Sequence, residues 1–513
     1  MLILLLVVLL IILAYLFITK NHDYWKKRNV KHDPPVPCFG NHFRNIMGFK
    51  SIVEISNELY NKYPEEKVVG YYRGRTPTLI VRDLDIVKHI LNVDFAHFYP
   101  RGLGRNANLE PLFLNLFHAD GDTWKLSRKR LTAAFTTAKL KAMFPLIIRC
   151  AEKLQLVGEN IVLNGGECDI REIMARFTTE FIGACGFGIE MDTINNEHSL
   201  FRNLGKKIFT STYTDMIIMA LYELFPEFRS IIQIPDREVN NSITEIFLNI
   251  RNQRDGKPSG RNDFIDLLLD LESKGKIYGE SVEKLKEDGT PMKVEMEMDL
   301  KLMTAQVFIF FAAGFETSSS ATSFTLHQLA YHPEIQEKIQ DEIDYILLKY
   351  NNKLSYDTVA QMPLLAMAFK EAMRIFPSLG ILNRVCAKRY TIEDLGITID
   401  PGVKIIVPVQ AIQNDEKYFE NPTAFQPERF SANEGVRHTY AYLPFGEGPR
   451  ACIGARLGEM QSLAGLAAIL QKFTVEPASA TKREIDVEHK SNIVQGIKGG
   501  LPLKLKLRNA KVT

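Results

Sequence analysis

The first hydrophobic feature of the chain is an uninterrupted apolar run from Leu2 to Ile18. Its 17 residues would form a helix of roughly 25 Å, at the short end of what spans a bilayer. Basic residues follow at Lys20 and at 26–28, so the positive-inside rule places the rest of the chain in the cytoplasm. A cleaved signal peptide or a buried core helix is the alternative, but the basic n-region and the small-x-small cleavage site of a signal peptide are both missing. We therefore predict a membrane anchor, followed by a stiff proline-rich spacer at 34–37.

After the spacer, the spacing of apolar residues changes from one segment to the next. Runs rich in β-formers at 68–72 and 78–81 predict strands, whereas residues 120–250 are mostly helical by periodicity. The stretch 252–298 is charged and punctuated by glycine, which indicates a surface connection.

The longest predicted helix runs from Asp299 to His332, because Pro333 disfavours helical geometry in the residue before it. Its centre, 307–313, is apolar on all sides and must be buried. The order of elements shows no alternation of strands with helices, so we predict a mainly α protein with small β-sheets rather than a doubly wound sheet. Further helices are predicted at about 335–346, 356–376 and 455–472, and residues 396–409 predict a strand, an Asp-Pro-Gly turn and a strand.

Composition narrows the possible functions. The chain is 46% hydrophobic and 24% charged with a net charge of +2, which excludes a nucleic-acid binder driven by net charge. The six cysteines are scattered without a C-x-x-C pair, so neither a disulfide scaffold nor a zinc site is expected. Reduced thiols in a protein that faces the cytosol fit this usage better.

One cysteine, Cys452, lies in a glycine-rich stretch, 445–454, directly before a predicted helix. The glycines let backbone N–H groups turn toward one point and the helix N-terminus adds positive potential, and both favour a thiolate. A thiolate in a dry pocket needs a cation, and a single sulfur ligand suits an iron held by a macrocycle better than zinc. Arg450 can neutralise a carboxylate of that macrocycle, and Phe445 can shield the sulfur from water.

These residues resemble the haem-binding signature F-x-x-G-x-R-x-C-x-G of the cytochrome P450 family. The match falls on Phe445, Gly448, Arg450, Cys452 and Gly454. The resemblance implies a haem b cofactor bound between the long central helix and the cysteine-bearing C-terminal helix, with Cys452 as the iron ligand.

A second match is Glu371 and Arg374, which form an E-x-x-R pair on one face of a predicted helix. Such a pair alone is more often a solvated surface pair. With Arg429 downstream, it resembles the family's buried Glu-Arg-Arg network, whose role is structural rather than catalytic.

A third match is the stretch 313–317, midway along the long helix. On the simplest interpretation, Gly314 and Thr317 only bend a core helix, with the Thr hydroxyl bonded to an earlier carbonyl. The resemblance implies instead that Ala313 and Gly314 make room for dioxygen above the haem. It further implies that Thr317 and Glu316 order the water that delivers protons.

The resemblance also assigns further cofactor contacts. Trp124 and Arg128 match the family's W-x-x-x-R, which holds a haem propionate, and Arg384 lies where many animal members place another propionate partner. Many members have a histidine where Gln413 stands, which weakens only a propionate bond from that position.

The resemblance covers essentially the whole chain and is strongest to membrane-bound insect detoxifying members of family six. It implies an anchor at 1–19, a linker at 20–37 and one catalytic domain at 38–513. The implied activity is insertion of one oxygen atom from O2 into lipophilic substrates such as xenobiotics, plant toxins or endogenous lipids. Electrons would come from NADPH through a separate reductase, NADPH–cytochrome P450 reductase, with cytochrome b5 as a second candidate partner. The implied location is the endoplasmic reticulum membrane, with the domain facing the cytoplasm and no nucleic-acid partner.

Two other functions stay open at this point. A haem-thiolate isomerase or dehydratase would act on a peroxide without a reductase, although such members often lose the acid–threonine pair. A non-catalytic membrane haem carrier would not need that pair either. The intact Glu316 and Thr317 therefore favour the monooxygenase.

Two surfaces are also predicted. A basic cluster near Trp124 is expected to dock an acidic redox partner, with a merely solvated helix face as the alternative. It comprises Lys125, Arg128, Lys129, Arg130, Lys139 and Lys141. The substrate walls are expected from 101–120, 205–235, 305–317, 378–382 and 492–494, with Phe113, Phe117, Phe308, Phe311 and Ile381 as lining, although each is singly more typical of plain core.

Overall fold

The structure is a computed structural model. It describes residues 1–189, 191–210, 212–232, 237–261, 263–431, 438–489 and 493–508. Asn492, at the edge of one predicted substrate wall, lies outside the described residues.

Helices dominate the described residues, which confirms the predicted mainly α fold with small sheets. The α-helices are α1 (Leu2–Thr19), α2 (Phe43–Ile46), α3 (Ile52–Lys62), α4 (Leu84–Lys88), α5 (Phe95–Phe98), α6 (Gly121–Leu131), α7 (Thr137–Leu163), α8 (Ile170–Ile182), α9 (Leu200–Phe209), α10 (Tyr213–Leu224), α11 (Arg237–Gln253), α12 (Phe264–Ser273), α13 (Leu300–Ala330), α14 (Pro333–Leu348), α15 (Tyr356–Val359), α16 (Pro363–Ile375), α17 (Val409–Gln413) and α18 (Ala455–Lys472).

The strands form small sheets around this helical body. They are β1 (Val68–Arg73), β2 (Thr76–Val81), β3 (Glu167–Asp169), β4 (Lys276–Leu285), β5 (Pro291–Glu297), β6 (Leu382–Val385), β7 (Tyr390–Ile392), β8 (Ile397–Ile399), β9 (Lys404–Val407), β10 (Phe473–Pro477), β11 (Val487–Glu488), β12 (Gly496–Ile497) and β13 (Pro502–Leu507). The largest sheet has the order β1-β2-β9-β6, a second has the order β10-β13-β3, and β4-β5, β7-β8 and β11-β12 are separate pairs.

Helix α13 is the central element, and its ends follow local signals. The Asp299 carboxylate accepts a hydrogen bond from the backbone N–H of Leu302, while Pro333 begins α14 after a two-residue break. Of the apolar centre 307–313, which was expected to be buried, Val307, Phe308, Phe311 and Ala312 are buried, whereas Ile309, Phe310 and Ala313 face a cavity. Helix α18 contacts it through the Gln461 side chain, which donates to the carbonyl oxygen of Gly314 over 3.2 Å.

The stretch 252–298 differs from the predicted surface connection. It contains α12, which is largely buried, and the antiparallel hairpin β4–β5. The hairpin lies on α6, because the Ser281 hydroxyl donates to the Asp122 carboxylate at 2.7 and 2.9 Å. The alternation of this hairpin is masked by charged residues on its outer face, so the sequence pattern alone did not show it.

The predicted strand–turn–strand at 396–409 is formed, but its two strands do not pair with each other. Strand β8 pairs with β7, whereas β9 lies between β2 and β6 in the larger sheet. The turn at Asp400–Gly402 therefore carries the chain from one sheet to another.

The N-terminal segment is an exposed helix followed by a packed segment. Helix α1 has a mean hydropathy of 3.3 and is not buried against the protein. The segment before the predicted proline-rich spacer packs against the domain, because Trp25 is fully buried and its indole N–H donates to the Tyr71 carbonyl oxygen. Helix α13 is also long and apolar enough to cross a membrane, but most of its residues are buried within the protein.

Candidate active site

The cysteine loop, residues 443–454, is shaped by glycines in the left-handed region. Gly446 and Gly448 have φ values of +70° and +76°, which disfavour side chains. A Cβ atom on Gly448 would lie 2.0 Å from the Leu91 carbonyl oxygen, so this glycine is needed for close packing. The loop closes when the Cys452 N–H donates to the Phe445 carbonyl oxygen over 2.8 Å.

The Cys452 side chain has open surface, and that surface faces an internal cavity. Burial raises the pKa of its thiol above the ordinary value, while a hydrogen bond from the Gly454 N–H and the charges of Arg128 and Arg101 oppose this rise. The glycine loop and nearby cations therefore favour a thiolate, as expected from the sequence, but burial outweighs them. A bound cation would supply the stabilisation that the thiolate lacks.

The cavity has a volume of about 1760 Å³, open mouth included. Its walls are mostly apolar; Ile182, Phe264, Phe369 and Met373 contribute singly, and the rest come from five parts of the chain. They are the 101–117 segment, α6 with the turn after it, the 306–321 face of α13, residues 378–384, and the cysteine loop with the first turns of α18.

Four arginines, here called the cavity arginines, line this cavity: Arg101, Arg128, Arg384 and Arg450. The Arg450 side chain is fully buried, and its Nε and Nη1 groups have no hydrogen-bond partner among the described residues. The same is true of Arg384 Nε. Unpartnered buried donors are costly, so these groups indicate a missing acceptor.

The charges of the cavity arginines point the same way. Burial lowers the pKa of Arg450 to about 8 and that of Arg384 to about 9, and Arg101 lowers both further. In the described part of the chain, Asp120 is the one carboxylate that contacts this group, 2.9 Å from Arg450 Nη2. Haem b carries two carboxylates on a flat apolar ring, which fits both the free N–H donors and the apolar walls.

Trp124 and Arg128 lie on α6 at the same cavity. The Trp124 ring lies 4.2 Å below the guanidinium carbon of Arg450, and the Arg128 guanidinium donates to the Ala451 carbonyl oxygen over 2.9 Å. Both side chains therefore touch the cysteine loop as well as the cavity. Phe445 and Gly454 also line the cavity, whereas Gly448 is turned toward Leu91 and does not.

Helix α13 presents Ala313, Gly314 and Thr317 to the cavity. The Thr317 hydroxyl donates to the Ala313 carbonyl oxygen over 2.7 Å, which is the local bond that the simplest interpretation expected. Gly314 also serves packing, because a Cβ atom there would lie 2.3 Å from Ile182 on α8.

Glu316, by contrast, does not line the cavity. Its carboxylate pairs with Arg171 of α8 at 2.5 Å, and both side chains are largely buried. Successive helical residues point about 100° apart. The structure therefore brings Thr317, but not Glu316, to the cavity.

The predicted substrate walls are partly found. Phe117 lines the cavity, and so do Ser378 and Leu382. The expected contribution of 205–235 is absent from the lining among the described residues. Phe308 and Phe311 are core residues, because the cavity face of α13 runs through Ile309 and Phe310, one position away in each case. Phe113 instead packs against His118 and Arg105, Ile381 lies at another small cleft, and Val494 is buried.

Two residues at the site were missed from the sequence, Arg101 and Asp120. Arg101 lies within the 101–120 segment that was expected to form a substrate wall, and its Nη2 donates to the Arg450 carbonyl oxygen over 2.9 Å. Asp120 precedes the Trp124 helix. The one sequence signal for Arg101 is that a glycine, Gly102, follows it. Nothing in the neighbouring residues distinguishes such an arginine from one on the protein surface.

A second arginine cluster lies outside the cavity, here called the helix network: Glu371, Arg374 and Arg429. Arg374 donates from Nε and Nη2 to the two oxygens of Glu371 at 2.7 and 2.9 Å, and Arg429 Nε lies 3.3 Å from the same carboxylate. Arg374 also donates to the carbonyl oxygens of Gln413 and Pro422. The predicted network is therefore formed, and α16 is tied by it to the 413–429 segment.

Gln413 stands where many members of the family have a histidine, and it takes a structural position. Its amide donates to the carbonyl oxygens of Met373 and Arg374 at 3.0 Å and accepts from the Leu443 N–H at 2.8 Å. It does not line the cavity.

A mainly α fold, a lone cysteine that shares an apolar cavity with a long buried helix, and arginines there whose N–H groups lack acceptors together fit the haem-thiolate class of protein. Comparison with known proteins is in agreement. The chain belongs to the cytochrome P450 family, whose sequence profile matches residues 31–503. Membership implies a haem-containing oxidoreductase of the monooxygenase type.

Relatives among well-described proteins include insect members of P450 family six, as the sequence resemblance predicted. Cytochrome P450 6B2 of Helicoverpa armigera is 38% identical over 97% of this chain and 96% of its own length. Cytochrome P450 6a2 of Drosophila melanogaster is 35% identical over 98% of this chain and 99% of its own length. Cytochrome P450 6B5 of Papilio glaucus is 36% identical over 92% of this chain and 97% of its own length.

Proposed function

We propose that this protein inserts one oxygen atom from O2 into lipophilic substrates, with electrons from NADPH delivered by a separate reductase. The observation that carries the proposal is one apolar cavity that brings together the Cys452 thiol, Thr317 and the cavity arginines. Bound haem would supply the activation of dioxygen; its iron would be held by Cys452 and its propionates by Arg101, Arg128, Arg384 and Arg450.

Next to bound haem, the protein's own residues would position water and supply protons. The Thr317 hydroxyl, now bonded to Ala313, lies where it can turn into the cavity and hold a water molecule. Glu316 can join this chain only by leaving Arg171. We therefore assign water positioning to Thr317 and proton supply to Glu316 after release of its ion pair.

The walls of the cavity select the substrate class. Phe117, Ile309, Phe310 and Leu382 face the same space and offer no hydrogen-bond donors from their side chains. Such walls favour lipophilic molecules, since apolar surface is removed from water when they bind. Xenobiotics, plant toxins and endogenous lipids all fit this description.

An acidic redox partner would meet the face of α6. Lys129 and Arg130 are exposed there, directly after Arg128, which touches the cysteine loop through Ala451. Lys125 is engaged by the β4–β5 hairpin and Lys141 pairs with Asp357, so the docking surface is smaller than the sequence suggested. NADPH–cytochrome P450 reductase is the proposed partner, with cytochrome b5 as a second electron donor.

The membrane is the remaining proposed partner. Helix α1 is unburied and apolar throughout, which supports a single N-terminal anchor in the endoplasmic reticulum membrane with the domain in the cytoplasm. Exposed apolar side chains lie near it, since Phe17 stacks on Arg75 beside the sheet, and Phe43, Met47 and Phe49 are exposed in the adjoining segment. We retain 38–513 as the catalytic domain, with residues 20–37 packed against it.

The proposal is tested with the purified full-length protein, a reductase, NADPH and naphthalene as a lipophilic probe. An oxygenated product that requires all components is expected. Turnover of a peroxide without reductase would instead indicate the isomerase, and haem binding without any turnover would indicate the carrier.

The ligand assignment is tested by Cys452→Ala, with Cys168→Ala as the matched control because Cys168 lies on β3, away from the cavity lining. Only Cys452→Ala should abolish the thiolate-type spectrum of the carbon monoxide complex. Survival of that spectrum in Cys452→Ala would overturn the assignment of Cys452 as the iron ligand.

A further inference from the structure

Asp120 occupies the N-cap position of α6 but does not cap that helix. Aspartate is among the most favoured N-cap residues, because its carboxylate accepts hydrogen bonds from the first free N–H groups of the helix. Here the backbone of Asp120 is extended, as in a capping residue, yet its side chain makes no capping hydrogen bond. The carboxylate is instead engaged by other groups.

Those contacts all lie at the cavity arginines. One carboxylate oxygen accepts from Arg450 Nη2 at 2.9 Å and from the Arg101 backbone N–H at 2.8 Å. The other accepts from the Gly102 backbone N–H at 3.1 Å. One side chain therefore joins α6, the cysteine loop and the start of the 101–120 segment.

Gly102 makes this junction tighter. Its φ of +69° is left-handed, and a Cβ atom there would lie 2.4 Å from the side chain of Val385, next to Arg384 on β6. Its carbonyl oxygen accepts from Arg229, which follows α10. The turn that Asp120 holds thus lies against β6, which borders the cavity, and against the segment that follows α10.

We propose that Asp120 is a positioning residue that fixes Arg450 with its free N–H groups toward the cavity and ties the 101–103 wall to it. Arg101 and Leu103 line the cavity, so the substrate wall and the haem-facing arginines move as one unit. The four cavity arginines form a strongly positive group. Among the described residues, the Asp120 carboxylate is the one negative charge that contacts this group. This inference rests on the proposed haem site and deepens it, since no role for Asp120 follows from the cysteine loop alone.

The test uses two substitutions at Asp120 in the full-length haem-loaded protein. Asp120→Asn removes the charge but keeps an acceptor, while Asp120→Ala removes both. Asp122→Asn is the matched control, because Asp122 lies on the same helix two residues later and binds Ser281 and the Val282 N–H of the hairpin instead.

Two readouts separate the charge from the tether. The haem reduction potential should become more positive in both Asp120 variants, because a negative charge near the iron favours its more oxidised state. Hydrogen exchange at the Arg101 and Gly102 amides should become faster by about tenfold in Asp120→Ala, the change expected when a hydrogen bond of ordinary net strength is lost. Asp120→Asn should exchange more slowly than Asp120→Ala, and Asp122→Asn should resemble the unsubstituted protein in both readouts.

The proposal is overturned if Asp120→Ala leaves both the potential and the two amides as they are in Asp122→Asn. It is equally overturned if Asp122→Asn shifts the potential as much as Asp120→Asn, because the effect would then be that of any nearby acid. An unsubstituted protein without a thiolate-type carbon monoxide spectrum would contradict the proposed function itself, which is a different result. The exchange readout at Arg101 and Gly102 does not depend on that spectrum.

Discussion

Two clusters of buried arginines, the helix network and the cavity arginines, differ in whether their hydrogen bonds are complete. In the helix network, Arg374 spends its donors on both oxygens of Glu371 and on backbone carbonyls, with no accessible surface on either side chain. Among the cavity arginines, Arg450 and Arg384 keep N–H groups without partners in the described part of the chain. Both clusters contain buried guanidinium groups, yet only in the helix network does the protein itself supply the hydrogen-bond acceptors that these groups need.

The difference separates structure from binding. A buried charge is tolerated when a partner and further hydrogen bonds offset its lost hydration. The helix network meets that condition without a ligand, so its role is to hold α16 against the 413–429 segment. The cavity arginines do not meet it, so a ligand with carboxylates must complete them.

The largest expected effect comes from breaking the helix network. Arg374→Met leaves Glu371 buried without its main partner and should lower the free energy of unfolding by about 3–5 kcal/mol. Urea unfolding of the haem-loaded protein measures it. Arg251→Met is the control, because Arg251 and Glu272 form the same two-pronged pair at 3.0 and 3.1 Å but are about a third exposed.

The control pair should contribute only about 0–1 kcal/mol, as surface pairs do. Equal losses in Arg374→Met and Arg251→Met would show that burial does not distinguish the helix network. Should Arg374→Met not accumulate as folded protein, Arg374→Lys keeps the charge and should give an intermediate loss.

Breaking the cavity arginines should affect haem retention instead of folding. Arg384→Met removes a donor with an unpartnered N–H, so haem should dissociate about ten- to a hundredfold faster, as expected for a lost hydrogen bond to a charged group. Transfer of haem to an acceptor protein measures this rate. Arg429→Met, in the helix network, should lower the unfolding midpoint with little change in haem dissociation. The reverse pattern would contradict the division between the two clusters.

The glycines of the cysteine loop make the same comparison on a smaller scale. Gly448 has a left-handed φ and no room for a Cβ atom, so Gly448→Ala should lower stability by about 1–3 kcal/mol. Gly454 has an ordinary φ, and a Cβ atom there would meet Phe135 only at 3.5 Å, so Gly454→Ala should leave stability unchanged. Because Gly454 lines the cavity, its alanine variant should instead bind less haem per chain. Absorbance of the haem band relative to protein, with an unfolding curve for each variant, decides the matter.

Elements whose limits are specified locally were predictable from the sequence. Helix α18 begins and ends at the predicted residues, and α13 lies within one or two residues of its prediction, because an aspartate cap and a proline mark its ends. Pairing partners were not predictable in the same way. The hairpin β4–β5 depends on docking to Asp122, and β9 depends on β2 and β6 rather than on the strand before it.

The candidate site divides along the same line. The cysteine loop is a contiguous motif, so its residues were found and most line the cavity. The partner of Glu316 is Arg171, 145 residues earlier, and the partner of Asp120 is Arg450, 330 residues later. Neither pairing leaves a local pattern, so the sequence could place these charges on elements but not name the groups they would meet.

The smallest expected effect tests whether a third charge cluster is closed to water, as the helix network is. Glu223 forms ion pairs with Arg73, Arg229 and Lys404. The buried His42 lies beside this group with its ring nitrogen 2.7 Å from the Tyr71 hydroxyl.

Burial and the charge of Arg73 lower the pKa of His42 to about 3. The folded protein therefore takes up a proton at His42 less readily than the unfolded chain does, whose pKa is near 6.5. The contribution of His42 to the free energy of unfolding is fully present above pH 6.5 and is lost as the pH falls toward 3. The loss should be about 1.4 kcal/mol for each pH unit below 6.5.

His42→Gln should therefore make the unfolding free energy decline less steeply between pH 6.5 and pH 5, because one proton fewer is taken up on unfolding. His198→Gln is the control, because that histidine is 79% exposed and should not change the slope. Equal slopes for all three proteins would show that His42 takes up a proton in the folded state, and that the Glu223 cluster is open to water rather than complete.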